Sequence, residues 1–185
     1  MSDRRTHSHL FEEKIEALIT PFERRLGKHY LPYRNHVHRV ANLCWALKHN
    51  SDPDDVEKIA IAAVYHDIGI WTDSTFDYLD PSRRMASSYL SQNNKSDWNE
   101  EIATMIDMHH KITSYKGPFR ENVEAFRKAD LLDLSMGKIS FGIKRQFIEE
   151  NYRRFPLKDF HFTILSAFFR HFIRHPLNPL PMMKK

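Results

Sequence analysis

The stretch that decides the fold is Ile59-Ala-Ile-Ala-Ala-Val-Tyr-His-Asp-Ile-Gly69. An apolar, helix-forming run leads directly into His66 and Asp67, two side-chain types that bind metal ions. His66 follows Ala63 by three residues and therefore lies on the apolar face of the same helix. We expect Gly69 to end this helix in a left-handed conformation and to leave both polar side chains facing a cavity.

The rest of the chain also shows helical periodicity, without a convincing alternating strand. A first amphipathic helix is predicted over 11–26, with a bend at Pro21. Further helices are predicted over about 33–49, 53–66, 81–92, 97–109, 121–134, 139–152 and 159–174. Residues 68–80 are predicted to be a loop and 176–185 an extended tail. The fold class is therefore all-α, a compact single-domain bundle of about seven to eight helices over residues 1–185.

Composition excludes several classes of protein. The five glycines are too far apart for a dinucleotide-binding or phosphate-cradling loop. No apolar run approaches the roughly 20 residues of a membrane span, so we expect no membrane partner. Cys44 is the single cysteine and the first residues do not resemble a signal peptide, which together predict a cytoplasmic protein. The formal charge is +4, but basic residues occur only as scattered doublets, so we expect no specific nucleic-acid partner.

Three predicted helices carry an ionisable residue on the face that should be buried. His36 shares a stripe with Val40 and Leu43, His66 ends the apolar run, and Asp130 shares a stripe with Phe126. A buried carboxylate is costly unless it is paired or bound to a metal. Taken one at a time, these residues could be hydrogen-bonded core histidines and an aspartate paired with a neighbouring basic side chain.

As an ordered set, these residues resemble the HD-domain superfamily of metal-dependent phosphohydrolases. Tyr33-Arg-Asn-His-Val-His-Arg-Val40 looks like the H-x-x-R-V motif of the family, and His66-Asp67 matches its defining doublet. Asp130, in Arg127-Lys-Ala-Asp-Leu131, resembles the distal aspartate of the family. The resemblance implies an HD-type fold with its metal-site core in residues 33–134. It also implies one divalent transition metal ion per chain, with four ligands: His36, His66, Asp67 and Asp130.

The donor set agrees with that implication. Two imidazoles and two carboxylates suit Mn²⁺, Fe²⁺, Co²⁺, Ni²⁺ or Zn²⁺ better than Ca²⁺. The resemblance then implies hydrolysis of a phosphomonoester or nucleotide through a metal-activated water, with Asp67 at the reacting centre. The expected partner is a small phosphorylated molecule.

Residues after the doublet supply further candidates. His109 continues the apolar face of its helix, and we interpret it as a phosphate contact or proton donor, or else as a core histidine bonded to a carbonyl. His110 and Lys111 are candidate substrate contacts. Asp73 is the carboxylate nearest the position where nucleotidase-like members carry an acidic base, although its offset differs. Asp133 could be a partner of the site, and Arg39 is expected to donate an internal salt bridge.

Two other readings of the same fold remain open. The His109-His110 pair allows a hydratase or a di-iron oxygenase, but the predicted helix after Asp80 contains no histidine for a second metal. The chain could also be a non-catalytic ligand-binding HD protein. Its apolar last helix and Met182-Met183 could support a homo-oligomer, or the helix could pack into the core of its own chain.

Overall fold

The computed structural model describes residues 4–73 and 75–177, in which every regular element is helical. The α-helices are α1 Arg4–Ile19, α2 Glu23–Leu26, α3 Tyr30–Leu47, α4 Asp55–Tyr65, α5 Gly69–Thr72, α6 Leu79–Gln92, α7 Asn99–Met108, α8 Arg120–Leu134, α9 Arg145–Arg154 and α10 Phe160–Arg174. Eight of these described helices have ten or more residues, which confirms the predicted all-α bundle.

The first predicted helix divides at Pro21. Helix α1 ends at Ile19, and a short 3₁₀ turn follows over Thr20–Phe22. Pro21 lies in the first turn of this element, where a backbone N–H would have no helical partner, so its missing N–H costs no hydrogen bond. A second 3₁₀ turn then leads into α3, which begins at Tyr30 rather than near Tyr33. Buried Phe11, Ile15 and Ile19 dock α1 on the core, in contact with α3 and α4.

The prediction that Gly69 caps a helix in a left-handed conformation is wrong. Gly69 instead begins the short helix α5, inside the segment predicted to be a loop, and its φ is not positive. A β-carbon at this position would lie 2.6 Å from the Tyr78 carbonyl oxygen and 3.0 Å from Cβ of Pro81. The Gly69 N–H also donates to Oγ of Ser82 at 3.1 Å. Glycine is therefore required here because α6 approaches closely.

The predicted start of a helix at Ile139 is also wrong, since α9 begins at Arg145. Four residues between α8 and α9 have a positive φ: Met136, Gly137, Phe141 and Gly142. An α-helix cannot pass through such a segment. Most of the predicted extended tail, residues 178–185, lies outside the described residues.

The core brings the ends of four helices together. Helix α3 packs most extensively against α8, and α4 packs against α1, α3 and α7. The N-terminal half of α3 meets the C-terminal ends of α4, α7 and α8, because those helices run in the opposite direction. No helix in the described part of the chain combines the length and apolar character that a membrane span requires.

Candidate metal centre

Two imidazoles face each other at the end of the bundle where these helices converge. Nε2 of His36 lies 3.0 Å from Nε2 of His66, and both side chains are fully buried. Nδ1 of His36 donates to Oδ2 of Asp133 at 2.8 Å, and Nδ1 of His66 donates to the Ala63 carbonyl oxygen at 2.8 Å. In the neutral rings the proton therefore sits on Nδ1, so both Nε2 atoms direct lone pairs at each other. Two facing lone pairs repel unless a metal ion or a shared proton lies between them.

Two carboxylates complete the cluster. Oδ2 of Asp67 lies 3.4 Å from Nε2 of His66, and Oδ1 of Asp130 lies 3.6 Å from Nε2 of His36. Donor atoms of His36, His66 and Asp67 lie within 4.8 Å of one another, a spacing that could hold a metal ion. Oδ1 of Asp67 and Oδ1 of Asp130 are buried and have no hydrogen-bond partner. Buried carboxylate oxygens are normally satisfied, so their state here fits metal ligation.

The ends of the helices explain why these side chains point inward. His66 caps the C-terminus of α4, where the last carbonyl groups lack helical partners, and its Nδ1–H satisfies the carbonyl of Ala63. The C-terminal ends of α4, α7 and α8 also direct partial negative charge at the cluster. This backbone field favours a cation at the same place as the carboxylates do.

Asp133 and Arg39 form the outer support of the cluster. Arg39, fully buried, donates from Nε to Oδ1 of Asp133 at 2.6 Å and from Nη2 to Oδ2 at 2.9 Å. The same guanidinium donates to the carbonyl oxygen of Phe155 at 3.0 Å. Asp133 therefore orients His36, and the expected internal salt bridge of Arg39 is the one that orients Asp133.

The ionisation of the cluster follows from burial and mutual charge. Burial lowers the pKa of His36 to about 4, although Asp133 opposes the change. Burial also acts to lower the pKa of His66, but the negative charges of Asp67 and Asp130 outweigh it and raise this pKa to about 9. Burial raises the pKa of Asp130 to about 7, whereas His66 and His109 outweigh burial at Asp67 and hold its pKa well below the usual range. Without a metal, the two facing imidazoles therefore hold one proton between them.

His109 lies beside the cluster at the C-terminal end of α7. Its Nδ1 donates to the Ile106 carbonyl oxygen at 2.6 Å, as expected for a core histidine. Its Nε2, however, lies 3.3 Å from Oδ1 of Asp67 and 3.2 Å from the hydroxyl of Tyr78. The backbone bond thus orients the ring and leaves Nε2 directed at the cluster.

The remaining predicted site residues lie farther from these atoms. The His110 ring packs edge-on against His109, with ring centroids 5.2 Å apart, and Lys111 follows it in the loop after α7. Asp73 accepts from the Thr72 hydroxyl at 2.9 Å and lies 4.0 Å from Arg84. It lines a groove of about 430 Å³ between α4 and α6, and none of the four predicted ligands lines that groove.

The sequence does not predict the contacts that three aromatic residues make with the site. Phe160, the first residue of α10, stacks on His36 at a centroid distance of 4.0 Å and an interplanar angle of 14°. Tyr33 stacks beside the same ring and donates to the Val64 carbonyl oxygen at 2.8 Å. Tyr78 is held next to His109 by the segment before α6. The motif around His36 includes Tyr33, but the sequence offers no periodic signal for Tyr78 or for the contact of Phe160 with His36.

Comparison with known proteins agrees with this geometry. The family model of the HD domain matches residues 33–135, more than half of the chain. Searches of curated proteins and of solved structures gave no significant match. The matched segment begins three residues before His36, ends two residues after Asp133 and includes all four predicted ligands. The chain therefore belongs to the HD domain family.

Proposed function

We propose that this protein is a metal-dependent phosphohydrolase that acts on a small phosphomonoester or nucleotide. The observation that supports it best is the pair of facing Nε2 atoms of His36 and His66, 3.0 Å apart, between buried carboxylate oxygens without hydrogen-bond partners. Membership of the HD domain family points to the same chemistry. The four residues His36, His66, Asp67 and Asp130 would hold one divalent transition metal ion.

A bound ion of this kind lowers the pKa of a coordinated water and neutralises charge that develops on a phosphoryl group. The side chains of the protein supply the rest. Asp133 and the Ala63 carbonyl hold the rings of His36 and His66 so that both Nε2 atoms are directed inward, and these two ligands are therefore already oriented for a metal ion. Phe160 and Tyr33 cover the imidazole faces and exclude water from the side of the cluster that they occupy.

His109 is proposed to contact the phosphate or to donate a proton to the leaving oxygen. Its Nε2 lies next to Oδ1 of Asp67, within reach of a ligand bound at the cluster, and its Nδ1 is committed to Ile106. His110, Lys111 and Asp73 remain predicted substrate contacts. For His110 and Lys111, the loop after α7 would place them at the edge of the site rather than among the ligands.

Metal content is the first test. Protein purified without chelators should contain about one transition metal ion per chain, measured by elemental analysis, because the cluster offers one set of four donors. Asp67→Ala should lose most of this metal. Asp97→Ala, which removes an exposed carboxylate in a 3₁₀ turn, is the matched control and should retain it.

Activity is the second test. The protein, loaded in turn with Mn²⁺, Co²⁺ and Ni²⁺, should release phosphate from some members of a panel of phosphomonoesters and nucleotides. Asp67→Ala should abolish that release and Asp97→Ala should not. Full metal content and full activity in Asp67→Ala would contradict the proposal. Metal binding without any activity on the panel would favour a ligand-binding HD protein, and two redox-active irons per chain would favour an oxygenase.

A further inference from the structure

The last helix carries apolar residues on a face that the fold does not use. Phe160 is buried and Ile164 is partly buried, so one side of α10 packs against the core as expected. On the other side, Phe162 is 72 % exposed, Leu165 is 52 % exposed and Ile173 is 76 % exposed. At 100° per residue these three positions fall within one arc of about 80°. We call this arc the outer face of α10.

The charge of the chain is concentrated in the same region. Residues 153–185 contain seven lysines and arginines and one acidic residue, Asp159, which gives this segment a formal charge of +6. Residues 1–152 contain 21 basic and 23 acidic residues and carry a formal charge of −2. Four basic residues in the described part of the segment are exposed: Arg153, Arg154, Lys158 and Arg174. The net positive charge of the protein therefore belongs to the segment that contains the apolar outer face.

We propose that the outer face of α10 docks on an anionic membrane surface. A helix that combines exposed aromatic and aliphatic residues with basic residues lies in the plane of a lipid interface, where the apolar side chains enter the headgroup boundary. Each lysine or arginine near the surface adds attraction to anionic lipids. The expectation of no membrane partner rested on the lack of a membrane-spanning run, and peripheral docking requires no such run.

A second copy of the chain fits the outer face less well. A two-fold symmetric contact through α10 would place the same surface of each protomer against its partner. Residues 153–177, the described part of the segment, contain five basic residues and Asp159 and carry a formal charge of +4. Two such segments would then lie close together across an apolar contact, which is repulsive. An anionic lipid surface instead supplies the complementary charge.

The test is vesicle sedimentation with the full-length protein at about 0.1 M salt, where charges remain partly unscreened. The protein should bind vesicles that contain about 30 % phosphatidylserine in phosphatidylcholine, and should bind pure phosphatidylcholine vesicles much more weakly. The double variant Phe162→Ser, Ile173→Ser should weaken binding about 100-fold, since each buried side chain of this size contributes about tenfold. Lys158→Gln with Arg174→Gln should weaken it about 30-fold.

The matched control is Ile112→Ser, because Ile112 is 74 % exposed but lies in the loop after α7. It should bind vesicles as the unmodified protein does, and thermal unfolding should show that all variants remain folded. Equal binding to both kinds of vesicle, or no binding to either, would overturn the proposal. A dimer in light scattering that Phe162→Ser, Ile173→Ser disrupts, without vesicle binding, would assign the outer face to a second copy and would equally overturn it.

Discussion

Replacing Asp133 with asparagine should weaken metal binding although it removes no ligand. Asp133 accepts hydrogen bonds from Nδ1 of His36 and from two nitrogens of Arg39. An asparagine amide has one oxygen, and its NH₂ group must face a donor on either His36 or Arg39. When the NH₂ group faces His36, the imidazole has to accept at Nδ1, its proton moves to Nε2, and the lone pair directed at the cluster is lost.

Two magnitudes follow from this geometry. Loss of a hydrogen-bonded carboxylate behind a ligating histidine typically lowers metal affinity by about 10- to 100-fold. The variant also leaves the guanidinium of Arg39 buried without its anion, and breaking a buried ion pair destabilises a protein by about 3–5 kcal/mol. Metal affinity and stability should therefore both fall.

Titration calorimetry with Mn²⁺ measures the affinity, and urea unfolding of the metal-free protein measures the stability. Glu16→Gln is a matched control, because Glu16 also joins a histidine and an arginine of α3, at 2.6 Å from His38 and 2.7 Å from Arg34. It should lower stability by less, since Glu16 is partly exposed, and should leave the affinity for Mn²⁺ unchanged. A folded Asp133→Asn protein with unchanged affinity would refute the argument that Asp133 sets the tautomer of His36.

Three further perturbations test other parts of the structure. Gly69→Ala should destabilise the protein by about 1–3 kcal/mol in urea unfolding, because the new methyl group meets the Tyr78 carbonyl oxygen, and an unchanged midpoint would contradict that close approach. Glu124→Gln should reduce the loss of stability in acid. Burial acts to raise the pKa of Glu124, but hydrogen bonds from Arg127 and from the N–H of Tyr115 outweigh burial and hold this pKa at about 2, below the unfolded value of 4.5. The stabilisation by Glu124 is therefore complete above about pH 5 and is lost as the pH falls towards 2, which unfolding experiments at several pH values would detect. Tyr78→Phe should lower kcat for phosphate release about tenfold at unchanged metal content, because His109 loses its hydroxyl partner; an equal loss of metal would instead indicate a role in holding the ligands.

The fold could be predicted because its strongest signals are local. The periodicity of residues 120–134 predicts α8 to within one residue at each end, and the Asp130 stripe faces the core as expected. The starts of helices were harder to predict. Helix α9 begins after Lys144, which has an extended conformation. Of the four residues with a positive φ before it, only the two glycines are of a type that predicts such a conformation.

The site could be predicted only as far as residue types and spacing allow. The four predicted ligands lie near one another because α3 runs opposite to α4, α7 and α8. The order and spacing of the motifs along the chain are enough to predict this set of residues. Tyr78 contacts His109 and Phe160 contacts His36 through tertiary contacts between segments that are far apart in the chain. Hydrophobic periodicity in a single sequence does not predict such contacts. Asp73 shows that closeness in sequence is also a poor guide to the site. It follows the doublet by only a few residues, but its carboxylate contacts Thr72 and lies near Arg84 rather than at the cluster.

The opposite end of the same four helices shows what the metal centre lacks. There the C-terminus of α3 meets the N-termini of α4, α7 and α8, and Asp55 and Glu101 are buried together. Lys48 lies 3.0 Å from Asp55 and Lys58 lies 2.8 Å from Glu101, while Asn122 donates to both carboxylates at 2.7 and 2.6 Å.

The far end therefore buries two carboxylates and the metal centre buries three, and the two ends neutralise them differently. At the far end the chain supplies two lysines, and the helix N-termini add favourable partial positive charge. At the metal centre Arg39 neutralises Asp133, whereas the ion-pair partners of Asp67 and Asp130 within the described residues are histidines only, and three helix C-termini add partial negative charge. A chain that pairs buried acids so completely at one end leaves a deficit of positive charge at the other, and a divalent cation bound by His36, His66, Asp67 and Asp130 would correct it.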